Sequence, residues 1–241
     1  MTRILLLGGT TEANLLAQAI AKAGLSGVYS YAGRTEAPMG QPIHMRVGGF
    51  GGVEGLRAYL QAEGITHVID ATHPFAAQMS SNAVAACTAE GVPLIALERA
   101  PWTPGEGDRW THVADIDAAV AALDGPTQRV FLAIGRQHID AFAAQPQHRY
   151  LLRLVDQPTA LPFPADVVVA RGPFDVAGDT ALMQGHGTQV VVAKNAGGKG
   201  AVAKIAAARA LGLPVVMIDR PVLPPRRVVH SVPAVMSWLN G

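Results

Sequence analysis

The opening stretch Arg3-Ile4-Leu5-Leu6-Leu7-Gly8-Gly9-Thr10-Thr11-Glu12-Ala13 decides how the chain is read. An apolar run ends in two glycines and passes straight into an Ala/Leu-rich segment, the pattern of strand, tight turn and helix. Gly8 and Gly9 admit backbone angles closed to other residues and place no side chain between the turn and an approaching phosphate. The first amides of the following helix then face that phosphate, with the positive end of the helix dipole behind them. The spelling departs from the dinucleotide pattern G-x-G-x-x-G/A in having Thr10 where the second glycine stands. A plain strand-to-helix turn in any parallel α/β domain has a similar spelling. On the nucleotide reading, Gly8, Gly9, Thr10, Thr11 and Glu12 line the cofactor, and Thr10 and Thr11 donate hydroxyl or amide hydrogen bonds to its phosphates.

The next strand, Val28-Tyr29-Ser30-Tyr31-Ala32-Gly33, ends where an enzyme specific for NAD places an Asp or Glu on the ribose 2′-hydroxyl. Here the following residue is Arg34. A cation at that point suits a 2′-phosphate, so NADPH is favoured over NADH, with a solvated loop arginine as the alternative.

From the turn outward the same βα rhythm continues. Leu15, Leu16, Ala19, Ile20 and Ala23 recur at helical spacing and close on Gly24. Gly48-Gly49-Phe50-Gly51-Gly52 puts four glycines in five residues ahead of a helix near 53–63. Such a loop lets backbone approach a ligand through Gly48 and Gly49, or serves as a lid that touches none. The buried-strand run His67-Val68-Ile69-Asp70 delivers Thr72-His73-Pro74 to the same edge of the sheet as Gly8, since ligands in open parallel sheets sit outside the carboxyl ends of the strands. Thr72 is therefore grouped with the cofactor residues. His73 is either a structural hydrogen-bonding residue or a group at the reaction centre, and positioning is favoured over proton donation.

The aperiodic segment 98–109 reads as a crossover, dividing a domain over residues 1–100 from one over 110–241. In the second part Arg136, Arg171, Lys194 with Lys199, and Arg220 each fall just after a strand. Cations gathered at the strand ends of an apolar α/β domain imply a substrate with several negative charges.

Composition excludes other classes. Of 241 residues, 49% are hydrophobic and only 5% aromatic, the balance of layered α/β packing. Lys+Arg 19 against Asp+Glu 18 leaves no broad basic field for nucleic acid or an anionic membrane. Cys87 is the single cysteine and is read as a small buried residue; with no secretory leader pattern at the N-terminus, a cytoplasmic protein is expected. No apolar run reaches transmembrane length, and no metal ligand set is assigned.

Ile4-Leu5-Leu6-Leu7-Gly8-Gly9-Thr10-Thr11-Glu12-Ala13, Val47-Gly48-Gly49-Phe50-Gly51-Gly52, Ile69-Asp70-Ala71-Thr72-His73-Pro74-Phe75-Ala76, Ala170-Arg171-Gly172-Pro173-Phe174 and Ala193-Lys194-Asn195-Ala196-Gly197-Gly198 together resemble the precorrin-6A reductases of cobalamin biosynthesis. The motifs span nearly the whole chain in order. The resemblance implies two Rossmann-like parallel-sheet domains with the active site in the cleft between them, NADPH as hydride donor, a tetrapyrrole with many carboxylate arms as substrate, and hand-over to neighbouring pathway enzymes. Arg136, Arg171, Lys194 and Lys199 are then assigned to the carboxylate arms. The lysine stretch has Asn195 and Ala196 where many members carry serines, so no hydroxyl role transfers there. Two other readings compete. A short-chain type oxidoreductase relies on a Tyr-x-x-x-Lys pair, and none of the four tyrosines has lysine four residues on. A non-catalytic NADPH-sensing or tetrapyrrole-carrier module would keep the turn and the cations without turnover.

Overall fold

A computed structural model of the chain describes residues 2–33 and 39–241; Arg34 lies outside them. Its first strand, β1 (Arg3–Leu7), is buried on both faces, and the alternation of its side chains fixes what each face receives. Ile4 and Leu6 meet Leu16, Ala17 and Ile20 of α1 (Thr11–Lys22), while Leu5 and Leu7 meet Leu56 and Leu60 of α2 (Gly52–Ala62) and Ala83 and Ala86 of α3 (Ala77–Glu90). The strands between them are β2 (Ser26–Tyr31), β3 (His44–Val47), β4 (His67–Asp70) and β5 (Leu94–Leu97). A sixth strand, β12 (Arg227–Val229), comes from the far end of the chain and lies beside β5. Strand order is β12-β5-β4-β1-β2-β3 and every ladder is parallel.

The second sheet has the order β6-β11-β10-β7-β8-β9 and is again wholly parallel. Its strands are β6 (Arg109–Val113), β7 (Arg129–Ala133), β8 (Arg149–Leu154), β9 (Ala165–Val169), β10 (Val190–Lys194) and β11 (Pro214–Ile218). One face carries α5 (Val176–His186) and α6 (Ala203–Ala210), whose Met183, Ile205, Ala207 and Ala208 close over Phe131, Val191, Ala193 and Met217. Buried residues elsewhere in this unit include Ala119 of α4 (Ile116–Ala121) and Phe142 in one of two 3-10 turns, Arg136–His138 and Asp140–Ala144.

Two expectations change. The units are residues 1–100 with Val222–Gly241, and Pro101–Pro221, so the second domain starts before residue 110 and does not run to 241. The C-terminal segment returns because its apolar residues find partners in the first sheet: Val228 pairs in register with Ala96, and Val235 of α7 (Val232–Leu239) is fully buried in the cluster around Ile4 and Leu16. Within the supposed crossover, Arg109 opens β6, an edge strand with Arg109, Thr111 and His112 exposed, too polar to read as a strand from its residues alone.

Candidate functional site

In the first unit the strand order switches direction between β1 and β4, where Leu7 pairs with Asp70, and the residues after these two strands converge. Thr10 is the N-cap of α1: its Oγ1 accepts from the Ala13 amide at 3.1 Å and donates to the Ala71 carbonyl at 2.8 Å. Both hydrogen-bonding directions of the hydroxyl are used within the chain. It caps the helix, a bond worth about 1 kcal/mol, and ties the glycine turn to the loop after β4. Thr11 begins α1 on an exposed face. Glu12, in the first turn, pairs with Arg99 at 3.2 Å.

The two glycines differ. A Cβ on Gly8 would stand 2.2 Å from the Tyr29 ring, whereas one on Gly9, at φ 107°, would meet nothing within 4 Å. Gly8 is small because Tyr29 lies beneath it; Gly9 opens a clearing in front of α1. The Tyr29 hydroxyl accepts from the Gly9 amide at 2.8 Å and donates to Asn14 Oδ1 at 2.7 Å, so a fully buried phenol bolts the turn to the helix. Burial holds its pKa above the ordinary tyrosine range.

After β4, the buried Asp70 carboxylate accepts from the Thr72 amide at 3.1 Å and from Thr72 Oγ1 at 2.7 Å. Thr72 is thus held by Asp70, with His73 exposed beside it. The Phe75 amide donates to His73 Nδ1 at 3.2 Å, which leaves the proton of the neutral ring on Nε2. Cys87, on α3, is buried, and desolvation aided by Asp70 pushes its thiol up to about 12, so it is not a nucleophile.

The loop Gly48–Gly52 is folded around a residue that its composition does not reveal. Arg46 Nη1 donates to Ser30 Oγ at 2.7 Å and to the Gly48 carbonyl at 2.9 Å, and Nη2 to the Gly49 carbonyl at 3.1 Å. Its guanidinium lies 3.9 Å from the Phe50 ring centre and 5.1 Å from that of Tyr59. Gly48, Gly51 and Gly52 all have positive φ, which fixes glycine at those points. Tyr29, Arg46 and Asp70 are the residues sequence reasoning missed. A tyrosine in a buried strand, needing a partner for its hydroxyl, was the one available signal.

In the second unit the switch lies between β7 and β10, and the cations behave unequally. Arg136, in a 3-10 turn after Gly135, is exposed, as is Lys199. Arg171 is exposed and stands 3.8 Å from Asp156. Lys194, the last residue of β10, is only 9% exposed, so it is no surface cation. Arg220 turns onto the chain, donating to the Asn195 and Ala196 carbonyls at 3.0 and 3.2 Å. Asn195 exchanges two hydrogen bonds with the Trp102 backbone, and Trp102 Nε1 donates to the Gly198 carbonyl at 2.8 Å. The Lys194–Gly198 stretch is therefore clamped from both sides. The Arg153 side chain, on β8, is buried, pairs with Asp179 and lies 3.6 Å from the Phe174 ring centre.

Among the described residues no helix is long and apolar enough to cross a membrane, and no group of three or more His, Cys, Asp or Glu is placed to hold a metal ion.

Comparison with known proteins places these features in a family. Residues 3–240 match the family described as Precorrin-6x reductase CbiJ/CobK. The precorrin-6A reductase of Rhodobacter capsulatus is 62% identical over 241 residues, covering 99% of this chain and 96% of that one. The precorrin-6A reductase of Rhodococcus erythropolis is 46% identical, covering 100% and 98%. A solved structure titled CobK precorrin-6A reductase superposes with a TM-score of 0.96 at 62% identity, over 100% of this chain and 96% of that one.

Proposed function

The chain belongs to the precorrin-6x reductase CbiJ/CobK family, and from that premise we propose that it reduces metal-free precorrin-6A to precorrin-6B with NADPH. The enzyme class is an oxidoreductase acting on CH–CH bonds. The observation that carries the cofactor reading is the clearing at Gly9, where φ is 107° and a side chain would meet open space in front of the capped helix α1. A pyrophosphate fits there because backbone amides at the start of a helix neutralise it without a side chain. Bound NADPH would supply the hydride that adds to a ring double bond conjugated with an iminium-like nitrogen, while a proton goes to the neighbouring carbon.

The protein's own part is to bind and orient. Gly8, Gly9 and the first turn of α1, with Thr11 and Glu12, hold the cofactor, and Thr10 and Thr72 act through the backbone that they fix. Gly48 and Gly49 bring loop backbone to the same cofactor, and Arg34 meets its 2′-phosphate. His73, with a proton on Nε2, orients a substrate arm or the nicotinamide ribose by donating one hydrogen bond. Arg136, Arg171 and Lys199 take carboxylate arms at the strand ends of the second unit, and Lys194 adds a buried positive charge at the end of β10. Hand-over of product to neighbouring pathway enzymes belongs to the same reading.

The test is anaerobic mixing of protein, NADPH and either metal-free or cobalt-containing precorrin-6A, followed by nicotinamide absorbance. The expected outcome is stoichiometric loss of NADPH absorbance with the metal-free macrocycle. Absorbance unchanged by both forms makes the protein a sensor or carrier.

A further inference from the structure

Arg46 is a half-buried cation whose three donated hydrogen bonds all go to neutral oxygens, those of Ser30, Gly48 and Gly49. Among the described residues no carboxylate pairs with it. A brace for carbonyls needs no charge, and a partly desolvated guanidinium without a counter-ion is electrostatically suited to receive an anion. The three bonds use three of its five N–H donors, so two remain without a partner among the described residues.

Its place says which anion. Arg46 on β3 pairs in register with Ser30 on β2, and Nη1 sits on the Ser30 hydroxyl, so the guanidinium stands at the carboxyl end of β2. In a sheet of this order the adenosine ribose is held at the end of the second strand. We infer that Arg46 is a second recognition residue for the 2′-phosphate of the cofactor, acting from a preset orientation and in addition to the role proposed for Arg34. This rests on the reading of NADPH as the hydride donor. The Phe50 ring at 3.9 Å and the two glycine carbonyls fix the guanidinium plane before any ligand arrives, so little side-chain freedom is lost on binding.

The test is calorimetric titration of the wild type, Arg46→Met and Arg46→Lys with 2′,5′-ADP and with 5′-AMP, which differ by the phosphate in question. Arg46→Met is expected to weaken 2′,5′-ADP by about tenfold or more while changing 5′-AMP by less than about twofold, as loss of a charge-assisted contact requires. Arg46→Lys keeps a charge but not the fork, and its ratio of the two affinities falls between. A wild type that does not separate the two nucleotides overturns the NADPH reading itself. A wild type that separates them, with the ratio unchanged in Arg46→Met, overturns Arg46 alone and leaves it a loop brace. Should Arg46→Met fail to fold, an unchanged ratio in Arg46→Lys has the same force.

Discussion

The two units have the same strand order and continue differently after the strand beside the switch. In sheet order the first unit runs β3-β2-β1-β4-β5-β12 and the second β9-β8-β7-β10-β11-β6, so β1 and β7 hold equivalent positions beside the switch. After β1 the chain makes a glycine turn, a threonine cap and a twelve-residue helix. After β7 it passes through Gly135 into two short 3-10 turns that carry Arg136, with no capped helix. One switch point thus offers aligned helix amides behind its open glycine, the other side-chain cations on irregular backbone behind an equally open one. Fold alone does not separate the two units; the proposal that the first takes a nucleotide rests on the local geometry after one strand.

The sharpest way to break this comparison is to put the same side chain at Gly9 and at Gly135. Both have positive φ and open space where a Cβ would stand, so valine costs each a similar backbone strain of roughly 1–3 kcal/mol. Gly9→Val is expected to lower NADPH affinity beyond about a hundredfold, measured by fluorescence titration, with the far-ultraviolet circular dichroism kept. Gly135→Val should leave NADPH affinity untouched. Equal loss in both variants would erase the distinction between the two switch points.

A smaller effect is expected where the second strand at each switch ends. His73 follows β4, and removing its one positioning bond in His73→Ala should lower single-turnover rates by roughly tenfold with the pH profile retained. A drop beyond about a hundredfold with loss of one limb of that profile would make His73 the proton donor instead. The smallest effects belong to the second unit's exposed cations. Arg136→Ala, Arg171→Ala and Lys199→Ala should each raise the Michaelis constant for substrate by no more than about fivefold, since exposed ion pairs contribute about 0.2–1 kcal/mol. Paired substitutions should raise it more steeply, with NADPH affinity unmoved. A change in turnover number without a change in Michaelis constant would take these residues off the substrate.

Where a single short window held the information, the sequence was enough. Leu5 and Leu7 against Ile4 and Leu6, then two glycines, predicted β1, the turn and α1, and the same rhythm located β7, β10 and β11. What escaped was set by contacts distant along the chain. The tie from the Thr10 hydroxyl to the Ala71 carbonyl spans 61 residues, so nothing in the spelling of the turn announces it. Lys194 looked like its neighbours Arg171 and Lys199, yet it is buried where they are exposed. Arg46 sat between an apparent loop and a glycine run, with nothing local to show that it gathers three oxygens. β12, three residues long, has no period of its own and is a strand only because β5 offers an edge.

That returning strand orders events during synthesis. The inner unit, Pro101–Pro221, has all six of its strands once Ile218 has left the ribosome. The first unit begins earlier, yet the β5 edge lacks this partner until Arg227–Val229 emerges, and the Glu98–Arg226 pair beside that ladder joins residues 128 apart in the chain. An unpaired parallel edge is where a growing chain is most open to pairing with another molecule. The inserted unit is continuous in the chain, whereas the first unit has its full set of strands only once residues 227–229 are made, and α7, which follows them, packs over Ile4 and Leu16.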